Sequence, residues 1–177
     1  KSKKMSIQKS NIITVRPDGR LFFGKKIYKC TLGKSGVSKN KREGDGATPV
    51  GTFPIREVFY RPDRVAKPKG QIPISKLKPN DAWSDDPQHD NYNKKVSMPH
   101  EGRIERLWRT DHAYDIIVVI GYNDEPVKIS SGSAIFIHIA TDNYKKTRGC
   151  IALKCSDLEE IISKIPATCF ITILPKN

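Results

Sequence analysis

Ser133-Ala-Ile-Phe-Ile-His-Ile139, followed at Thr147 by Thr147-Arg-Gly-Cys-Ile151, decides how this chain is read. The first segment is a short apolar run with β-branched residues, the pattern of a buried strand. It carries His138 near its end. Cys150 stands twelve residues further on, preceded by Gly149 and followed by a helical pattern. A thiol must become a thiolate to attack, and a nearby imidazole is the usual base. Gly149 permits a tight turn and close approach of a substrate, and the amides around such a turn can serve as oxyanion donors. Spacing alone also fits two unrelated structural residues, so both readings stand at this point. A metal site has less support, because His138, Cys150 and Cys155 offer at most three ligands and the chain has no CxxC pair. No metal and no cofactor are expected.

Working outward, Asp115 to Gly121 is a second buried strand by its apolar run. Asn11 to Val15, Arg20 to Phe23 and Lys25 to Leu32 read as a meander of short antiparallel strands, with Arg16-Pro-Asp-Gly19 as a turn. Gly33 to Gly46 is loop-like. Thr48 to Ile55 turns into a strand that continues to Tyr60. Ser156-Asp-Leu-Glu159 has the form of a capping box. The helix it opens keeps Leu158, Ile161, Ile162 and Ile165 on one face and stops at Pro166. Thr168 to Leu174 is the last strand. Residues 61–112 carry six prolines and little periodicity, and are expected to form a long irregular insertion, functional or lid-like. The expected class is mainly β with few helices (α+β).

The chain has 177 residues, with 32 Lys/Arg against 19 Asp/Glu, a net charge of +13. That length suits one domain, expected over 11–177 behind a basic flexible tail at 1–10. The charge is uneven. Residues 1–42 hold 13 basic residues and one acid, a net of +12, while 43–177 are near neutral at +1. An anionic partner for the N-terminal region follows from this. Nucleic acid is not favoured, since no RNP-like aromatic pattern or Cys/His finger occurs. No apolar run approaches the roughly 20 residues of a membrane span. Lys1-Ser-Lys-Lys-Met5 has no apolar segment behind it, so no secretory leader is visible in this stretch.

Three stretches in fixed order resemble the L,D-transpeptidase (YkuD-like) catalytic domain of bacterial cell walls. Ala47-Thr-Pro-Val-Gly-Thr-Phe53 looks like its TPxGxF signature, Ser133 to His138 like its catalytic-His strand, and Thr147-Arg-Gly-Cys150 like its [ST]xGC motif. Asp81-Ala-Trp-Ser-Asp-Asp-Pro87 with Tyr92-Asn93, and Leu107-Trp108 leading into Tyr114-Asp115, resemble a stand-alone subgroup. The match spans roughly residues 11–174. It implies a β-sandwich whose Cys and His meet in a cleft. Cys150 would be the nucleophile, His138 the base, the Gly149 and Cys150 amides the oxyanion donors, and Thr147 and Arg148 part of the substrate wall. Arg148 stands where many members have His, and Ala152 where many have Arg or Asn, two departures at the expected donor-stem contacts.

The resemblance also implies a reaction. The thiolate attacks the carbonyl before D-Ala in a peptidoglycan stem peptide, D-Ala leaves, and the thioester passes to an amine. Transfer to water would make the protein a carboxypeptidase or amidase. A non-catalytic peptidoglycan-binding module is a third reading, kept alive by Arg148 and Ala152. The implied location is the bacterial cell envelope, periplasmic or extracytoplasmic, with the basic N-terminus on an anionic envelope polymer. Tyr144 is a candidate for the cleft, or a surface loop residue. Trp83 and Trp108 are candidates for stacking on substrate, or for packing under the insertion. Asp85-Asp86 reads as a solvated turn, and His89, His100 and His112 as exposed structural residues. Cys30, Cys155 and Cys169 read as small buried residues, with a disulfide between two of them left open.

Overall fold

The computed structural model describes residues 11–177; the tail expected at 1–10 lies outside the described residues. The first strands are β1 (Ile12–Arg16), β2 (Arg20–Phe23), β3 (Lys26–Thr31), β4 (Val37–Ser38), β5 (Thr48–Pro49) and β6 (Gly51–Tyr60). The insertion adds β7 (Ile74–Lys76), β8 (Asp81–Ser84), β9 (Lys95–Ser97) and β10 (Ile104–Arg106). The chain closes with β11 (Ile116–Ile120), β12 (Phe136–Ile139), β13 (Ile151–Leu153), helix α1 (Cys155–Lys164) and β14 (Phe170–Ile173).

The main sheet runs β11-β12-β13-β3-β2-β1-β14-β6-β7, and β6 also pairs with β11. The first half of β6 bonds β14, from Gly51 opposite Ile173 to Pro54 opposite Phe170. Its second half bonds β11, with Tyr60 opposite Ile116. The ten-residue strand thereby joins the two ends of the sheet, and the expected β-sandwich is one sheet folded over on itself. The register shifts between Val119 and Ile120, an irregularity of the kind that increases local twist.

Alternation along β11 shows how the layers are assigned. Every residue of Ile116–Ile120 is buried, yet Ile116, Val118 and Ile120 belong to one apolar cluster and Ile117 and Val119 to another. Successive side chains of a strand point to opposite faces, so this strand has protein on both sides. The larger cluster lies inside the folded sheet and receives Leu158, Ile161 and Ile162 of α1. The smaller one lies on the outer face, where Trp83, Leu107 and Tyr114 from the insertion and its flank cover Phe136 and Cys150.

Four expectations are corrected. The insertion is not irregular throughout: β10, β8 and β9 form an antiparallel three-stranded sheet, with Glu105 opposite Trp83. Strands of three or four residues separated by prolines carry no periodicity long enough to read. The helix does not open on a capping box. Lys154, extended at φ −55° and ψ 139°, occupies the N-cap without a side-chain bond, and Ser156 is already inside the first turn. The strand expected from Ser133 begins at Phe136, because Ala134 takes φ +54°, a conformation that breaks a strand. Within the loop expected at 33–46, β4 pairs in parallel with β5.

Candidate active site

Parity puts the two candidate catalytic side chains on one face. Phe136 belongs to the outer cluster, and His138, two residues on, shares its face of β12. Across the parallel β12–β13 pair, His138 stands opposite Ala152, and Cys150 precedes Ala152 by two. The Phe136 amide donates to Cys150 Sγ at 3.4 Å. Cys150 is therefore level with Phe136, one face position from His138, roughly 7 Å along the strand. The Cys150 thiol donates to the Ala134 carbonyl at 3.2 Å, which the left-handed backbone at Ala134 turns toward it. Both side chains line a cleft of about 960 Å³.

The turn before Cys150 is held on every side. Thr147 Oγ1 donates to the Cys150 carbonyl at 2.6 Å and accepts from the Gly149 amide at 3.1 Å. Thr48 Oγ1 donates to the Gly149 carbonyl at 2.8 Å and accepts from the Gly33 amide at 3.0 Å. Gly149 has φ +141°, and a Cβ there would sit 2.8 Å from the Ala47 carbonyl oxygen. The Thr-Pro signature and the Gly-Cys motif thus form one joint. Of the two amides expected as oxyanion donors, that of Gly149 is engaged by Thr147 Oγ1.

His138 Nδ1 lies 3.0 Å from the Ile139 carbonyl. A carbonyl only accepts, so Nδ1 carries the proton and Nε2 is the basic nitrogen. The ring meets the edge of Tyr114 at a centroid distance of 5.2 Å. Burial lowers the His138 pKa below its usual 6.5, and Arg109 adds to this, against the Ile139 bond and Asp111.

Burial pushes the Cys150 thiol up to about 12, and the charge of Glu105 adds to that. The Phe136 amide, the Lys41 ammonium and the Tyr114 hydroxyl work in the opposite direction. Lys41 is almost wholly buried beside the cleft, paired with Asp45 at 2.9 Å. Tyr114 also donates its hydroxyl proton to Glu105 Oε1.

The remaining sequence candidates separate. Thr147 and the exposed Arg148 line the cleft. Tyr144 is not among the lining residues; its ring lies under Lys29 Nζ at 4.2 Å. Trp83 does not line the cleft either. It is buried beneath it, with Nε1 donating to Asn93 Oδ1 at 2.9 Å and its ring edge-on to Phe136 at 5.0 Å. Trp108 packs under the Arg61 guanidinium at 3.7 Å. Asp85 pairs with Arg103 at 3.2 Å on the cleft rim, and Asp86 accepts the amides of Gln88 and Arg103. His89 and His100 stack on each other at 4.3 Å, while the exposed His112 pairs with Asp115 at 2.7 Å. All four cysteines are unbridged. Cys30 and Cys169 are buried, whereas Cys155 is half-exposed at the start of α1, contrary to the expectation of a buried residue. Among the described residues no three His, Cys, Asp or Glu side chains gather at one point, and no helix is long and apolar enough to cross a membrane.

Sequence reading did not single out Glu105, Tyr114, Lys41 or Thr48 as site residues. Thr48 and Tyr114 were visible as parts of motifs. Glu105 sits in the insertion, where the sequence has no periodic signal.

The family model for the L,D-transpeptidase catalytic domain (YkuD) matches residues 6–173. The chain belongs to that family. Among solved structures, it is similar to L,D-transpeptidase 1 of Mycobacterium tuberculosis, at 10% sequence identity and a TM-score of 0.44. That likeness covers 94% of this chain and 60% of the other, so the chain spans about three-fifths of that protein's length. Comparison with curated proteins gives no significant match.

Proposed function

We propose that this protein is a cysteine acyltransferase of peptidoglycan stem peptides, with Cys150 as nucleophile and His138 as base. The observation that carries the proposal is the shared cleft face of Cys150 and His138, with Nδ1 tied to the Ile139 carbonyl and Nε2 left basic. When a donor stem enters, the thiol leaves the Ala134 carbonyl and gives its proton to Nε2; such catalytic bonds commonly tighten only with substrate bound. The thiolate attacks the stem carbonyl, and the Cys150 amide receives the oxyanion. Collapse forms a thioester and expels D-Ala, whose amine takes the proton from His138. An acceptor amine then attacks the thioester, with Nε2 receiving its proton; the C–S bond breaks, the new amide leaves, and the Cys150 thiolate takes the proton back from His138.

The acceptor is an amine in the transferase reading and water in the hydrolytic one; both use the same thioester in the cleft of about 960 Å³. Arg148 and Thr147 on the wall serve the donor stem. The substrate places the protein in the bacterial cell envelope, outside the cytoplasm. The basic N-terminal region serves adhesion to an anionic envelope polymer; neutralising Lys1, Lys3, Lys4 and Lys9 weakens sacculus binding at low salt.

The test is product analysis by mass spectrometry with defined tetra- and pentapeptide muropeptides, beside intact-mass measurement after exposure to a carbapenem-type β-lactam. The expected result is a cross-linked or exchanged product and an adduct on Cys150, both lost in Cys150→Ala with the fold retained. Sacculus binding without product or adduct would instead indicate a non-catalytic module.

A further inference from the structure

Tyr92-Asn93 of the insertion has no place in the reaction above. Asn93, 5% exposed, has φ +59°, a left-handed conformation that Asn tolerates better than most residues. Its side chain uses all of its hydrogen-bonding capacity. Oδ1 accepts from Trp83 Nε1 at 2.9 Å and from the Ala134 amide at 3.1 Å. Nδ2 donates to the Tyr122 and Asn123 carbonyls at 3.0 and 2.7 Å. Tyr92 holds the same loop two residues earlier. Its hydroxyl accepts from the Gly132 amide at 3.0 Å and donates to Glu43 Oε1 at 2.7 Å, which Ser133 Oγ also reaches at 2.5 Å. The loop so held has positive φ at Ser130, Gly132 and Ala134, conformations that persist outside glycine only where the surroundings over-determine them. The Ala134 carbonyl is the one that accepts the Cys150 thiol proton at 3.2 Å. A path of direct hydrogen bonds thus runs from Asn93 through Ala134 to the nucleophile.

We propose that Asn93 is a positioning residue for Cys150: by holding Ala134 it keeps the resting thiol capped, S–H to carbonyl, until substrate enters the cleft. A hydrogen bond given by the thiol stabilises its neutral form and opposes the thiolate. The cap therefore keeps Cys150 a weak nucleophile toward any small electrophile that reaches it without the contacts of a substrate. The Phe136 amide, two residues beyond Ala134, donates to the sulfur at 3.4 Å, so the segment from 134 to 136 holds the thiol from both sides. Alanine has a Cβ that opposes left-handed backbone and no side-chain donor or acceptor to offset it. The conformation of Ala134 is imposed by the insertion, and the state of the thiol follows from it.

The inference rests on Cys150 being the reacting thiol, and its test needs no peptidoglycan. Asn93→Gly deletes the side chain, accepts the left-handed backbone without strain and changes no charge, so Glu105 and Lys41 act on the thiol as before. In the full chain, the S–H stretching band of Cys150 is isolated by infrared difference against Cys150→Ala. The rate at which iodoacetamide alkylates each cysteine at pH 7 is followed by peptide-resolved mass spectrometry. In wild type the band is expected at the lowered frequency of a donating thiol. In Asn93→Gly it moves up toward that of a free thiol, and Cys150 alkylates about three- to tenfold faster. One unit of thiol pKa is about tenfold in thiolate, partly offset because a weaker base is a weaker nucleophile. Cys30 and Cys169, buried in the inner cluster, keep their rates, which a merely loosened fold would raise together with that of Cys150. An unmoved band, or a rise shared equally by all three buried cysteines, overturns the proposal. Asn93→Asp keeps the acceptor for the Ala134 amide, so its band stays where wild type has it; a free-thiol band in that variant overturns the path through Ala134 even if Asn93→Gly fails to fold. Absent muropeptide turnover with the band shift of Asn93→Gly intact would overturn the substrate assignment and leave the positioning role standing.

Discussion

The Thr48 hydroxyl donates to the Gly149 carbonyl at 2.8 Å, linking residues 101 positions apart in the chain. Thr48 is fully buried, and it also satisfies the Gly33 amide. Thr48→Val keeps the volume but leaves a buried donor and a buried acceptor without partners. The expected loss is about 1–3 kcal/mol for each group so orphaned, read from urea midpoints, together with slower Cys150 alkylation. Thr48→Ser, which keeps the hydroxyl, should retain most of both. Equal midpoints for Val and wild type would show that the bond does not hold the turn.

Gly149→Ala tests the other side of the same joint. The substitution meets a backbone at φ +141° and places Cβ 2.8 Å from the Ala47 carbonyl oxygen, a backbone atom with little room to move. Strain of about 1–3 kcal/mol is expected, with displacement of Cys150 from the cleft face. Denaturant midpoints and a fall of at least about tenfold in Cys150 alkylation check it; an alanine variant with wild-type values in both would contradict the geometry.

Trp83→Ala should behave as a core deletion. The indole supports Phe136 from below and holds Asn93, whose amide side chain also bonds the Ala134 amide and the Tyr122 and Asn123 carbonyls. A cost of about 3–5 kcal/mol is expected, and a smaller one for Trp83→Phe, which loses only the Nε1–H bond and some volume. A variant of unchanged stability but weakened substrate affinity would return Trp83 to the substrate wall.

His138 makes stability depend on pH. Its folded pKa is lowered from 6.5, so below that value the unfolded chain binds the proton more readily than the folded one. The contribution is fully present above about pH 6.5 and is lost as pH falls through the lowered folded value. Urea midpoints should drop more between about pH 7 and pH 5 in wild type than in His138→Gln. Parallel drops in the two proteins would mean that His138 is not held neutral by its surroundings.

The class of the fold was legible where apolar runs were long enough to show a period. β11, β12, β14 and the apolar face of α1 each emerge from four or more residues of pattern. The His and Cys of the candidate site were legible for the same reason: one ends a buried strand, and the other follows a glycine before a helix. The insertion was not, because β7 to β10 are three or four residues long and lie between prolines. The extended Lys154 N-cap was also illegible, since Ser156 and Glu159 carry the letters of a capping box two residues too late.

The sequence by itself determined a β-rich chain, marked His138 and Cys150 as candidate site residues, and concentrated the basic charge before residue 43. Only the tertiary structure decided which other groups share their cleft. Strand parity puts Phe136, His138, Cys150 and Ala152 on the outer face, and the insertion then brings Glu105 to the same cleft, where its carboxylate accepts from the Tyr114 hydroxyl. Glu105 lies 45 positions before Cys150 in the chain, and nothing local records that proximity. A carboxylate's role is set by the groups it is folded against, through burial and hydrogen bonding that exist only when distant segments meet.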